Sequence, residues 1–306
     1  MIEPRLNIVK EVHSAAILEA VENFHLSSKL LNKILEPILS KPLHKFACMA
    51  DEYDLRIERD QLPEATKWFL KHFITSLTIS GQENIPQEGP LLIVPNHAGG
   101  VDFLTMMASI TRKDFRVIAN NHAIIDPLTF LPNHLLFIGN NTNDRSAIIF
   151  SVLDELKQGH SVLVFPAGLL EPDPKLIPGA QDHLENWSSS LGIFVKKIPN
   201  LKILPVVIGG TVSPSIYNSI FAKIRRNTKK RAKTAILIQY MFQLMWPGKI
   251  PLDIEVTIGQ PILREELPYE AHPKIITDEI INYQKRLMQS IYVNSSNPLK
   301  NWYQSE

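Results

Sequence analysis

The chain reads as an α/β fold: a mixed central sheet flanked by helices and preceded by an N-terminal helical region. Three observations predict it. Short runs rich in β-branched residues alternate with helical stretches from about Ile74 onward. The residues before that point carry apolar side chains at helical spacing and no alternating strand pattern. The composition is that of an ordinary globular chain, with 44% hydrophobic residues, 21% charged residues and a formal net charge of +1 over 306 residues. Three regions are expected: an N-terminal helical region over 1–75, an α/β domain over 76–265, and a closing helix and tail over 266–306.

The elements follow in order. Ile17, Leu18, Val21, Phe24 and Leu26 form one periodic stretch, and Leu30, Leu31, Ile34, Leu35 and Ile38 form a second. Pro42 is expected to end the second, because proline lacks the amide donor and clashes with the preceding turn. Pro63 to Phe73 reads as a further helix with proline near its start. This helical region is expected to pack on the core or to cover the site. Ile74 to Ser80 alternates like a strand, and Gly81 opens a turn. Further strands are expected at Leu91–Val94, Phe115–Ala119, Leu135–Ile138, Ser161–Phe165, Ile203–Ile208 and Leu252–Ile258. Arg145 to Lys157 reads as a helix between two of them. Pro273 to Tyr292, periodic in Ile275, Ile276, Ile280, Ile281 and Leu287, reads as the closing helix. No internal repeat or low-complexity segment is visible.

Composition narrows the class. A single cysteine, Cys48, excludes an internal disulfide framework and a cysteine-rich zinc site, and fits a reducing compartment. Met1 to Ala20 lacks the apolar core of a signal peptide. The most apolar segment, Ala235 to Trp246, is too short to span a bilayer and contains glutamines. Near-zero net charge argues against bulk nucleic-acid binding. The expected location is cytoplasmic, with peripheral contact at the inner face of a membrane.

The chemistry concentrates at His97 and Asp102. The apolar run Leu91–Val94 ends at Pro95, and Asn96 and His97 follow. Gly99 and Gly100 then lead to Asp102, which opens a second apolar run, Phe103 to Ile110. This predicts strand, tight turn and helix, with the imidazole at the end of a strand, where sites in α/β folds form. A carboxylate bonded to one ring nitrogen sets the tautomer and supports the charge when the other takes a proton. No serine or cysteine nucleophile accompanies the pair. The economical chemistry is a histidine base that activates a substrate hydroxyl or amine. The plainer alternative is a polar loop histidine followed by an N-cap aspartate. Backbone amides at Gly99, Gly100 and the helix start suit an oxyanion or a phosphate equally.

The order of further features carries a resemblance. Asn96-His97, four residues, then Asp102 resembles the first signature of the phospholipid/glycerol acyltransferase family. Phe137-Ile138-Gly139-Asn140, with Arg145 beyond, looks like a modified second block. Val164-Phe165-Pro166-Ala167-Gly168 resembles the third, and Ile203-Leu204-Pro205-Val206-Val207 the fourth. The blocks stand in family order over roughly residues 80 to 260. The resemblance implies acyl transfer from a thioester, acyl-CoA or acyl carrier protein, to a hydroxyl of a glycerol phosphate or lysophospholipid. These are co-substrates; no separate cofactor and no metal are implied. By match, His97 is the general base and Asp102 orients it. Asn96, Gly99, Gly100, Asn140, Arg145, Phe165, Pro166, Ala167, Gly168 and Pro205 are the implied substrate-binding positions.

Two departures stand out. Ala167 replaces the glutamate usual in the third block, and Asn140 stands where the second block usually has arginine. Both remove polar groups suited to a small phosphorylated acceptor, which favours a lysophospholipid or another lipid amphiphile. Arg145 is the replacement phosphate contact, or a solvated residue at a helix start. Glu171 and Asp173 either take over an acceptor contact or shape a proline-rich loop.

Lys223, Arg225, Arg226, Lys229, Lys230, Arg231 and Lys233 form the densest charge cluster, directly before the apolar stretch 235–246 with Tyr240 and Trp246. An anionic membrane surface, the phosphates of the acyl donor, or plain solvation each account for it. Beside the transferase stands a non-catalytic protein that holds lipids on the same fold. A metal hydrolase is disfavoured, because His97, His122, His134, His160 and His183 lack ligand spacing. A dinucleotide oxidoreductase is disfavoured for want of a Gly-x-Gly-x-x-Gly turn after a strand.

Overall fold

The computed structural model describes residues 4–23, 29–138, 142–224 and 228–292. Three helices come first: α1 (Leu6–Asn23), α2 (Lys29–Asp60) and α3 (Leu62–Leu70). The expected stop at Pro42 does not occur, because α2 runs through both Pro37 and Pro42. A proline inside a helix costs about 3 kcal/mol. The stripe Leu39, Leu43, Phe46, Ala47, Ala50, Tyr53 and Ile57 is buried along α2 on both sides of Pro42. Each large apolar side chain buried there contributes about 1.5–3 kcal/mol, so packing outweighs the break.

The strands are β1 (Ser76–Ser80), β2 (Leu91–Pro95), β3 (Phe115–Asn120), β4 (Leu135–Ile138), β5 (Ser161–Leu163), β6 (Lys202–Gly209), β7 (Asp253–Ile258) and β8 (Ile262–Leu263). They form one mixed sheet in the order β1-β7-β6-β2-β5-β3-β4, with β8 beside β6. β6, β2, β5, β3 and β4 are mutually parallel, whereas β7 and β8 pair antiparallel with β6. β5 ends two residues before the expected Phe165, where the chain turns and Gly168 N–H donates to Phe165 O.

The remaining helices are α4 (Asp102–Ser109), α5 (Thr142–Lys157), α6 (Ser190–Lys197), α7 (Pro214–Tyr217), α8 (Ile220–Lys223), α9 (Thr228–Met245) and α10 (Pro273–Tyr292). The central strand β2 is covered on both faces, which is why it reads as a continuous apolar run. Leu91 and Ile93 face one core, with the N-terminal helices and α4, while Leu92 and Val94 face the other, with α5, α6 and α10. This alternation is the two-residue period of a strand. α6 and α10 approach closely at Gly192, where a Cβ would sit 2.1 Å from Pro273 O. Within α10, Ile276, Ile280, Ile281 and Met288 are buried, but Ile275 faces outward.

Pro205 explains a local oddity. A proline in a central strand forfeits a ladder bond. β8 pairs with Lys202 and Ile203, and β7 with Val206 to Gly209, so Pro205 falls in the gap between the two.

Candidate active site

β2 delivers Asn96 and His97 to the edge where the parallel strands end. The Asn96 side chain continues the sheet beyond the strand. Its amide nitrogen donates to Ile208 O at 2.9 Å, and Ile208 N–H donates to its oxygen at 2.8 Å. Asn96 is buried and its amide is engaged through both ends, so it ties β2 to β6.

His97 Nδ1 lies 2.7 Å from Asp102 Oδ2. Asp102 is the first residue of α4 and is 1% exposed. The same Oδ2 accepts Gly99 N–H at 3.0 Å, and Oδ1 accepts Phe103 N–H at 2.6 Å. A buried carboxylate held by two amides is fixed in place, and it assigns the ring proton to Nδ1. Nε2 is then the lone-pair nitrogen. The Phe165 ring stacks on the imidazole with centroids 4.4 Å apart. Burial alone would lower the His97 pKa, but the charge and hydrogen bond of Asp102, with the Glu171 charge behind them, raise it above the ordinary histidine value.

A second carboxylate holds the other side of the residue. Glu171 Oε2 accepts His97 N–H at 2.8 Å, and Glu171 N–H donates to His97 O at 2.7 Å. Its Oε1 accepts Trp187 Nε1–H at 3.0 Å. Burial pushes this carboxyl up to about 7 against those bonds. Asp173 is buried and accepts from the amides of Lys175, Gly210 and Val212 and from the Thr211 hydroxyl. Thr211 also donates to Ala98 O. Glu171 thus clamps the loop after β5 to the His97 turn, and Asp173 clamps the same loop to Gly210–Val212 after β6. The proline-rich stretch gave the only sequence signal for this, and it did not single out Trp187 or Thr211.

The other expected positions divide. Gly99 N–H is spent on Asp102. Gly100 is exposed beside the imidazole turn. Phe165 touches the imidazole, Pro166 is buried, and Ala167 packs half-buried on the core. Gly168 is exposed, and its φ of 61° is a conformation that favours glycine. Pro205 is not brought to the site. It pairs with Val94, lies buried within the sheet, and accepts Gly259 N–H. Asn140 lies outside the described residues, and so does the side chain of Arg145. Among the described residues, no three histidine, cysteine, aspartate or glutamate side chains converge on a common point.

A cavity of about 450 Å³ opens beside Gly100 and Val101. Phe103 and Leu104 of α4 form one wall, and Phe46, Tyr53, Phe69 and Phe73 line it from the N-terminal helical region. α9 closes it with Ile236, Leu237 and Tyr240. The volume falls in the range of small-molecule sites, and the lining is overwhelmingly apolar.

Comparison with curated proteins finds no match. Among solved structures, the 1-acyl-sn-glycerophosphate (LPA) acyltransferase PlsC from Thermotoga maritima is similar at 18% identity and a TM-score of 0.46, covering 94% of this chain and 95% of that one. The functional conclusion does not rest on that likeness. Residues 76–209 match the family described as acyltransferase. That segment spans β1 to β6 and contains His97, Asp102 and Glu171. Over residues 76–209, which hold the His97–Asp102 pair, the chain is therefore similar to the acyltransferase family.

Proposed function

We propose that the protein moves a fatty acyl group from an acyl thioester, acyl-CoA or acyl carrier protein, to a hydroxyl of lysophosphatidic acid, a related lysolipid or a glycerol phosphate. One observation carries this reading. An imidazole with a free Nε2, held by a buried carboxylate, stands three residues before Gly100, which lines an apolar cavity. The acyl chain fills the cavity and leaves its thioester carbon at the rim. Nε2 takes the proton of the acceptor hydroxyl as the oxygen attacks that carbon. The collapse of the tetrahedral intermediate expels the thiolate, which receives the proton from the imidazolium. A thioester is already activated, so no acyl-enzyme is required. Gly99 N–H is occupied, and the Gly100 amide makes no bond among the described residues, so it is the amide left for the oxyanion.

Ala167 puts a methyl group where the resemblance expects a carboxylate, which favours lipid acceptors over small phosphorylated ones. The same change favours a second reading, lipid holding without turnover. Thioester cleavage separates them, with either donor, a panel of acceptors, and wild type against His97→Ala. The transferase reading expects acylated product and a fall of about 10²–10⁴ in turnover in the variant, the usual worth of a positioned general base. Product formation unchanged in His97→Ala removes the mechanism. Acyl-chain binding without product from any acceptor moves the second reading ahead.

Peripheral contact with an anionic membrane through residues 223–246 belongs to the same proposal, with its centre moved. Ala235, Gln239, Met241 and Gln243 of α9 are buried, and Gln239 bonds Thr211 O and Ser213 N–H. Arg231 is held by Tyr217 O and Asn218 Oδ1. Arg225, Arg226 and the Lys229 side chain lie outside the described residues. The outward apolar surface is largest at Ile220, Phe221 and Ile224 at α8, with Phe242 and Trp246 also exposed and Lys223, Lys230 and Lys233 exposed nearby in the chain. Apolar side chains beside lysines suit a bilayer with anionic headgroups. No helix among the described residues is long and apolar enough to cross a membrane.

A further inference from the structure

The cavity beside Gly100 is largely apolar, and its polar lining is Glu19 of α1, His122 after β3, and Lys233, Tyr240 and Gln243 of α9, with the Gln243 amide turned to Phe73 O. Glu19 Oε1 pairs with His122 Nε2 at 3.2 Å. Its other oxygen, Oε2, is buried and has no hydrogen-bond partner among the described residues. The Tyr240 hydroxyl likewise makes no hydrogen bond among them. Burial first, and then the Glu19 charge, hold the Tyr240 phenol well above its ordinary pKa, so it stays a neutral donor on the wall of the same cavity. A bond to Glu19 raises the His122 pKa, so the imidazole holds its positive charge to higher pH and steadies the carboxylate. Glu19 and His122 are partly exposed, which puts this polar group at the open side of the cavity.

A plain hydrocarbon chain has nothing to offer these groups. A buried acceptor oxygen left unpaired is costly, and burying a methylene against it adds to that cost. A hydroxyl matches them in both directions: its proton goes to Glu19 Oε2, and its oxygen accepts from Tyr240. We propose that this cluster is a specificity subsite for an acyl chain carrying a hydroxyl group, so that the preferred donor is a hydroxyacyl thioester. This deepens the proposed function and rests on the cavity being the acyl site. No bond forms or breaks at the subsite; it acts only on which chain is held.

Binding to the full chain tests it without relying on turnover. Palmitate would be compared by calorimetry with hydroxypalmitates carrying the hydroxyl near the carboxyl end, in mid-chain or at the terminus. At least one isomer should bind about tenfold or more tighter than palmitate, since a site built to bond a hydroxyl discriminates strongly against its absence. Glu19→Gln and Tyr240→Phe should each collapse that ratio within the same variant, so a general loss of folding is not mistaken for the effect. Equal or weaker binding of every hydroxylated isomer by wild type overturns the subsite. So does a ratio that survives both substitutions. The matching thioester assay separates the two proposals: His97-dependent transfer of plain and hydroxylated chains at equal rates sinks the subsite alone. Absence of any transfer sinks the enzymatic reading, with the binding ratio still deciding the subsite.

Discussion

His97 is gripped at three points, and each grip makes a measurable claim. Asp102 holds the ring, Glu171 holds the backbone amide, and Phe165 covers one ring face. A base must be neutral to act, so the rate falls as pH drops through the raised His97 pKa. Asp102→Asn removes the charge that raises this value and leaves the burial that lowers it. The acidic limb of the pH profile of kcat/KM should move to lower pH while the plateau falls; a limb that stays in place would sink the dyad. Glu171 gives the second claim. Its folded pKa of about 7 lies above the ordinary carboxylate value. The stability it contributes is therefore complete below its unfolded pKa and lost as pH rises through about 7. Glu171→Gln cannot titrate and turns an NH2 toward one of the two N–H donors, so denaturant unfolding should show a loss of about 1–3 kcal/mol. The loss should be larger near about pH 5 than near about pH 8; a pH-independent loss contradicts this account. The sequence disclosed the His97–Asp102 pair because both sit within one turn. It left Glu171 open because that contact closes across 74 positions of chain.

At the scale of elements, α8 and α9 show why an apolar run is not a surface. Ala235 to Trp246 has the composition of an interfacial helix, but helical geometry turns Ala235, Gln239, Met241 and Gln243 inward. Phe242 and Trp246 remain exposed, but more exposed apolar side chains lie earlier, at the short α8 and its end. Ile220, Phe221 and Ile224 are 79%, 70% and 69% exposed. Burying each in a bilayer would contribute about 1.5–3 kcal/mol. Flotation with anionic vesicles should therefore drop at least about tenfold when all three become serine, because 1.4 kcal/mol is a factor of ten. Undiminished flotation would remove the membrane role of α8. α2 teaches the same lesson from the other side. Proline signals a stop locally, yet the buried stripe from Leu39 to Ile57 carries the helix through.

The molecule as a whole is held across its first and middle thirds by Asp54. This fully buried carboxylate accepts the amides of Thr129, Phe130 and Leu131 at 2.8–2.9 Å and bonds Arg5 Nη2 at 2.8 Å. Leu128 and Leu131 line the cavity, so the tie fixes one wall. Asp54→Ala orphans three amides and takes from Arg5 one of its two carboxylate partners, Asp51 remaining, and should cost about 3–5 kcal/mol in unfolding experiments. A loss below about 1 kcal/mol would show that the tie is dispensable. What the amino-acid order decided is everything encoded at short range: the strand and helix alternation, the mixed sheet, the His97–Asp102 turn and the blocks that carry the family resemblance. Period-two and helical spacing, turn glycines and a five-residue offset are all local, and local geometry is nearly the same in any fold. Tertiary packing alone decided the rest. It set the order of the strands, the helix through Pro42, the tie of Asn96 to β6, the place of Pro205 within the sheet, the Glu171 clamp, and the cavity that joins α1 to α9. Each of these depends on which distant segments share a core, and burial energy is settled by that sharing rather than by neighbours in sequence.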